Sequence, residues 1–178
     1  MNHSRAVLMD IDGTFSRVVT FDGKHERAAA LALTALRVGV GAILAVHGWA
    51  KLSDIAGTSE SFAQLAMPAP QVLVYLAIAG EFLGGLGLLV GLLTRVAALG
   101  PLCSMLVAIL TVHIGHGLLA KNGGFEYPLV LLLVSSFFAL NGAGPWSLDA
   151  LIAKRAERRP LLGWNGSVRV RDQIPSRP

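Results

Sequence analysis

"QVLVYLAIAGEFLGGLGLLVGLLTRVAALGPLCSMLVAILTVHIGHGLLA", residues 71–120, is the stretch that decides the fold. Its only formally charged side chains are Glu81 and Arg95. A helix needs about 20 apolar residues to cross about 30 Å of hydrocarbon. The stretch is long enough for two crossings, with Thr94 and Arg95 marking the reversal. The reading predicts spans at 71–94 and 96–120, joined as a tight antiparallel hairpin. Pro101 then falls in the early turns of the second, where a missing N–H costs less than at the centre.

Working outward, two further apolar segments follow the same rule, at 28–52 and 125–142, the latter short for a full crossing. The expected fold is therefore all-α: an integral membrane four-helix bundle over residues 28–152. A leader (1–27) precedes it and a basic tail (153–178) follows. The composition agrees. Of the 178 residues, 53% are hydrophobic and 15% charged, against about 25% charged in an ordinary soluble domain, and the mean hydropathy is +0.60. The net charge of +4 does not indicate nucleic acid, because the basic residues sit in tails and short loops. Arg5, Arg17, Lys24, Arg27, Arg95, Lys154, Arg155 and the arginines beyond lie on one side, and only Lys51 and Lys121 on the other. The positive-inside rule places both termini in the cytoplasm. Trp49, Tyr127 and Trp146 then fall at the interfaces as belt anchors. The outer loop at 53–70 is expected to hold a short amphipathic turn at 59–65 before Met67-Pro68-Ala69-Pro70. The tail is expected to lie near anionic lipid.

The leader carries Asp10-Ile11-Asp12-Gly13-Thr14 after an apolar run, a pattern like the first motif of haloacid-dehalogenase-type phosphatases. Such enzymes need a parallel α/β core with further motifs, and here a span begins at residue 28. The phosphatase reading is rejected. The Asp-Gly pair suits a small hairpin, and Asp10 and Asp12 exclude a signal peptide in this short apolar patch.

The sequence also contains an internal echo. Ala42-Ile43-Leu44-Ala45-Val46-His47 matches Ala108-Ile109-Leu110-Thr111-Val112-His113, and Glu81-Phe82 is echoed by Glu126-Tyr127. This suggests two helical hairpins in a parallel repeat. It would place His47, Glu81, His113 and Glu126 in the outer half of the bundle, with His116 one turn beyond His113. Ionisable groups at that depth should face the bundle interior and find partners, and Glu81 is the sharpest case. Arg37 either snorkels toward the cytoplasmic side, the favoured reading, or reaches Glu81. Gly80, Gly84, Gly85, Gly87 and Gly91, with Gly39 and Gly41, read as close helix packing, which also leaves room for a flat ligand beside Gly84 and Gly85. Cys103, the one cysteine, reads as a small buried hydrophobe. The histidines and glutamates would be adequate metal ligands, but no Glu-x-x-His pair is present, and no metal is expected.

Arg37 with "AILAVHGWAKL" (42–52), "GEFLGGLGLLVGLLTR" (80–95) and "EYPLVLLLVSSFFALNGAGPWSLDALI" (126–152) resemble, in order and spacing, the DoxX family of bacterial membrane proteins. The resemblance covers about residues 30–152, leaving the leader and tail unexplained. It implies a multi-pass protein of the bacterial inner membrane. Related members are described as a small subunit of thiosulfate:quinone oxidoreductase, or are linked to thiol and oxidative stress. Carried over are His47, Gly48 and Lys51, Glu81 with its following glycines, and Glu126, Tyr127 and Pro128. No flavin or haem motif occurs, so no cofactor is expected within the chain.

The leading expectation is a quinone-interacting redox subunit. A quinone head group would sit between the first three spans, with Glu81 or His47 as catalytic residues. Arg37, Lys51, Gly84, Gly85, His113, His116 and Glu126 would be its ligand-binding neighbours. A partner subunit would supply electrons, and a homo-oligomer is compatible. The alternatives are a non-catalytic scaffold recruiting oxidative-stress enzymes, and a small transporter or channel subunit.

Overall fold

The structure is a computed structural model and describes residues 23–157. The Asp10/Asp12 motif and the arginines from Arg158 onward lie outside the described residues.

Among the described residues the fold is all-helical. The helices are α1 (Gly23–Ser53), α2 (Ile55–Gln64), α3 (Pro70–Val90), α4 (Thr94–His116), α5 (Glu126–Asn141) and α6 (Leu148–Glu157). Three of them, α1, α3 and α4, are long and apolar enough to cross a membrane. Helix α5 spans 16 residues, roughly 24 Å at 1.5 Å per residue, which is short of the hydrocarbon thickness. Exposed leucines, valines and isoleucines line the outside of all four. In a membrane that surface meets lipid, so the apolar exterior is the expected one. The chain is a membrane protein.

Several boundaries depart from the sequence reading. Helix α1 starts at Gly23, inside the stretch assigned to the leader. The outer loop holds a full helix, α2. Asp54 caps it by accepting from the Gly57 amide at 2.9 Å, the usual use of an aspartate at a helix start. The tail beyond 153 continues as helix to Glu157. Helix α3 stops at Val90, because Gly91 takes a left-handed conformation (φ 70°) that glycine adopts without steric cost. Leu93 is also left-handed (φ 47°), so the apolar run through Leu92 and Leu93 forms the turn rather than extending the helix.

Helix contacts are set by glycines. Gly41 and Gly85 bring α1 against α3, a Cβ on Gly85 falling 2.9 Å from the Gly41 carbonyl oxygen. Gly80 and Gly100 bring α3 against α4, a Cβ on Gly100 falling 2.7 Å from Gly80 Cα. Gly84 sits against Pro101 and the Ala97 carbonyl, a group that Pro101 leaves without its usual amide partner. Gly39 faces open space and takes no part in packing, contrary to its expected role. Val40, Leu44, Leu88, Ala98, Met105, Leu131 and Phe138 form the core between these helices.

The basic end of the bundle is closed by Arg37. It neither snorkels nor reaches Glu81. It is 2% exposed, and its guanidinium donates to the Leu88 carbonyl at 2.7 Å and the Trp146 carbonyl at 2.8 Å. Leu88 belongs to the last turn of α3, where carbonyls lack intrahelical donors, and the cation suits that end of the helix dipole. A Cβ on Gly91 would collide with the guanidinium. Beside it, Asp149 of α6 accepts from the Leu93 amide at 2.7 Å and the Thr94 amide at 3.0 Å. A side chain distant in sequence thus caps the start of α4. The Asp149 amide donates to Gly91 O at 2.9 Å, so α1, α3, α4 and α6 meet in one polar knot. The surroundings of the two positions paired by the sequence echo differ: Arg37 is buried, whereas its equivalent, Cys103, is exposed.

Burial raises the Asp149 carboxyl, but the Thr94 and Leu93 amides and the nearby Arg37 charge outweigh it and hold it below its ordinary value of 3.8. A lowered carboxyl stabilises the fold fully above its unfolded value and loses that contribution as pH falls through the lowered one. Asp149→Asn is expected to cost about 1 kcal/mol of stability. Thermal unfolding in detergent would show a lower midpoint at pH 7, with the gap to wild type closing below about pH 4.

Candidate functional site

The outer end of α1 carries His47 and Lys51, spaced i and i+4 and therefore on one face. Opposite them on α3 stands Glu81, 4% exposed. The Lys51 ammonium forms an ion pair with the Glu81 carboxylate, whose side-chain exposures are 24% and 5%. A carboxylate so deep in an apolar bundle is costly unless neutralised or paired. Lys51 is the partner that the sequence left unnamed. The signal was available: Lys51 is one turn from His47, on the outer side where few cations occur.

Glu81 lies within a π-helical turn, Ala79–Leu83. A second π-helical turn, Ile109–His113, ends at His113 on α4. Such turns are rare, mostly single insertions within α-helices, and often occur at functional sites. The wider turn rotates the residues it carries off the regular helical face. Here the two turns bring Glu81 and His113 to the same cavity.

That cavity has a volume of about 660 Å³, within the roughly 300–1,000 Å³ of small-molecule sites. It lies between α1, α3, α4 and α5. Its polar groups include His47, Lys51, Glu81, His113 and Tyr127, and its remaining walls are largely apolar, with Phe62 of α2 and Met67 contributing from the outer loop. His113 Nδ1 lies 2.7 Å from the Gly123 carbonyl. That contact requires Nδ1 to be the donor, which leaves Nε2 of the neutral ring as an acceptor. The rings of His47 and Tyr127 are 6.1 Å apart.

The expected site residues therefore divide. His47, Lys51, Glu81 and His113 line one cavity. Arg37 is in the polar knot at the other end. Gly84 and Gly85 are spent on helix contacts and do not line the cavity. His116 is exposed and bonds the Val112 carbonyl at 3.0 Å. Glu126 accepts from the Ala120 amide at 2.6 Å, tying the loop before α5. Cys103 is not a buried hydrophobe; it is exposed and lines the cavity. Phe62 and Met67 were missed as wall residues, since nothing in their spacing shows where a loop folds back; Tyr127, carried over by the resemblance and read as a belt anchor, also lines the cavity. Among the described residues, no three His, Cys, Asp or Glu side chains converge as a metal site would require.

Comparison with known proteins gives a consistent picture. The family model described as DoxX matches residues 32–114, from α1 through the second π-helical turn. The chain is 32% identical over 119 residues to the Bacillus subtilis (strain 168) protein named "Putative oxidoreductase CatD", covering 67% of this chain and 85% of that protein. It is 33% identical over 111 residues to "Inner membrane protein YqjF" of Escherichia coli (strain K12), covering 61% and 82%. No solved structure matches the chain.

The ion pair makes a sharp stability prediction. Lys51→Met leaves a buried carboxylate without its counter-charge and is expected to destabilise the protein by about 3 kcal/mol. Adding Glu81→Leu should recover much of that loss, because the unpaired charge disappears with it. A double-mutant cycle on thermal unfolding in detergent checks this; additive losses would mean that the two side chains do not interact.

Proposed function

The chain belongs to the DoxX family of membrane proteins, and on that premise we propose that it is a quinone-interacting subunit of an oxidoreductase in a bacterial inner membrane. The observation that carries the reading is the apolar cavity with one ion pair and two histidines grouped in the outer half of the bundle. The names of the similar proteins, an oxidoreductase and an inner membrane protein, point the same way.

A quinone oxygen is a hydrogen-bond acceptor, and so is the Glu81 carboxylate. Glu81 therefore does not serve the ring directly. Lys51 is the donor of matching chemistry, and Glu81 is the positioning residue that pairs with it and aims it. His47 and His113 are suited to pass protons, since a neutral imidazole carries one donor and one acceptor nitrogen. The ring supplies a two-electron, two-proton couple when bound. Its electrons come from a partner subunit that oxidises a thiol or reduced sulfur compound, as the resemblance implies.

The test is binding of a decyl-tailed, fully substituted benzoquinone to the purified protein in detergent. Saturable binding is expected, weakened about tenfold or more by Lys51→Met, the cost of a lost charge-assisted hydrogen bond. Glu81→Gln should weaken it as well, and Lys51→Arg should retain most of it. No saturable binding to wild type, or equal binding to Lys51→Met with its helical circular dichroism intact, would overturn the proposal.

A further inference from the structure

The polar knot uses one face of α6 and leaves another uncovered. Ser147 caps the helix, its Oγ accepting from the Ala150 amide at 3.1 Å. Asp149 then fixes it to the turn between α3 and α4. Leu148, Leu151 and Ile152, spaced i, i+3 and i+4, share a different face and are 40%, 53% and 55% exposed. Trp146, just before the helix, is exposed as well. The attachment sets the depth of this stripe. It joins α6 to Gly91, Leu93 and Thr94, between a span that ends at Val90 and one that starts at Thr94. Ile152 lies three residues past Asp149 and Arg155 six, roughly 4.5 and 9 Å along a helix. The headgroup region extends roughly 5–8 Å beyond the hydrocarbon on each side. Whichever way α6 points, the stripe stays near the hydrocarbon boundary, and the long side chains of Lys154 and Arg155 reach the phosphates.

Lys154 and Arg155 are exposed, as is Arg95 in the first turn of α4. Among the described residues none of the three forms an ion pair, and Glu157 is the one exposed carboxylate on α6. An apolar stripe at the hydrocarbon boundary with cations at phosphate depth is the pattern of an interfacial helix. We infer that α6, together with Arg95, is a docking surface for anionic phospholipid in the leaflet at the basic end. Leu148, Leu151 and Ile152 enter the acyl boundary, while Arg95, Lys154 and Arg155 hold headgroup phosphates. Cations without a paired carboxylate favour a net-negative headgroup over a zwitterionic one. At this depth lipid meets the stripe before a soluble partner does. The surface is independent of the cavity, and the lipid it holds bears on the helix whose Asp149 caps α4.

Two measurements on the full chain test this. For depth, Ile152→Cys in a Cys103→Ser background is labelled with bimane in nanodiscs of equimolar phosphatidylglycerol and phosphatidylcholine. Quenching by doxyl-labelled lipid is expected to exceed quenching by aqueous iodide. Dominant iodide quenching would put the stripe in water and overturn the inference in favour of a soluble partner. For selectivity, the protein is extracted from the same bilayers in mild detergent, and its retained lipids are counted by native mass spectrometry. Phosphatidylglycerol is expected to be retained preferentially. Lys154→Gln and Arg155→Gln together should cut that preference by about fivefold for each charge removed, and added salt should lower it in the wild type. Equal retention of the two lipids by the wild type would overturn the inference. So would a preference that is insensitive to salt, or one undiminished in the double variant with its helical circular dichroism intact.

Discussion

The Glu81 carboxylate and the Lys51 ammonium are the interaction on which the site depends. Hydrocarbon does not solvate charge, so charged groups within the bundle need partners, and these two side chains pair with each other. The pair joins the outer end of α1 to the middle of α3, and so fixes how two spans sit at the level where the cavity opens. It also leaves a donor-bearing cation at the cavity wall. A neutral or apolar pair would pack the same helices and offer an acceptor ligand nothing.

The opposite end solves the same problem with different chemistry. Among the described residues Arg37 has no carboxylate at hydrogen-bond distance; it is held by the Leu88 and Trp146 carbonyls, with Asp149 nearby and engaged on the amides that begin α4. Charge is thus satisfied by helix ends, whose backbone groups have no intrahelical partners. The knot ties α6 to the spans and holds the basic end closed, while the cavity occupies the other half. Glycine contacts between α1, α3 and α4 keep the backbones close enough for both arrangements to form.

The spans were legible because hydropathy over about 20 residues is a strong signal, and the outer-half grouping of His47, Glu81 and His113 followed from counting helix turns. What escaped had a common cause. Partners distant in sequence leave no periodic trace. Arg37 was weighed against solvent and Glu81, and its carbonyl partners carry no side-chain signature. Asp149 stood in the quoted "GPWSLDALI" segment with no hint that it caps α4. Cys103 was read as core because its neighbours are apolar, but in a membrane protein apolar surroundings do not distinguish core from lipid. Gly84 and Gly85 were read both as packing residues and as ligand neighbours; they make close helix contacts and are not part of the cavity wall. The π-helical turns leave no trace in composition, yet they decide which face Glu81 and His113 present.

The central claim is that a quinone ring occupies the cavity beside the Lys51–Glu81 pair. Photo-crosslinking of a tailed azidoquinone to the protein in nanodiscs, with the modified residues located by mass spectrometry, tests it most directly. The account predicts label on His47, Lys51, Met67 or His113, suppressed by excess unmodified quinone. Label confined to lipid-facing residues such as Leu133 and Leu140, and insensitive to competitor, would contradict it.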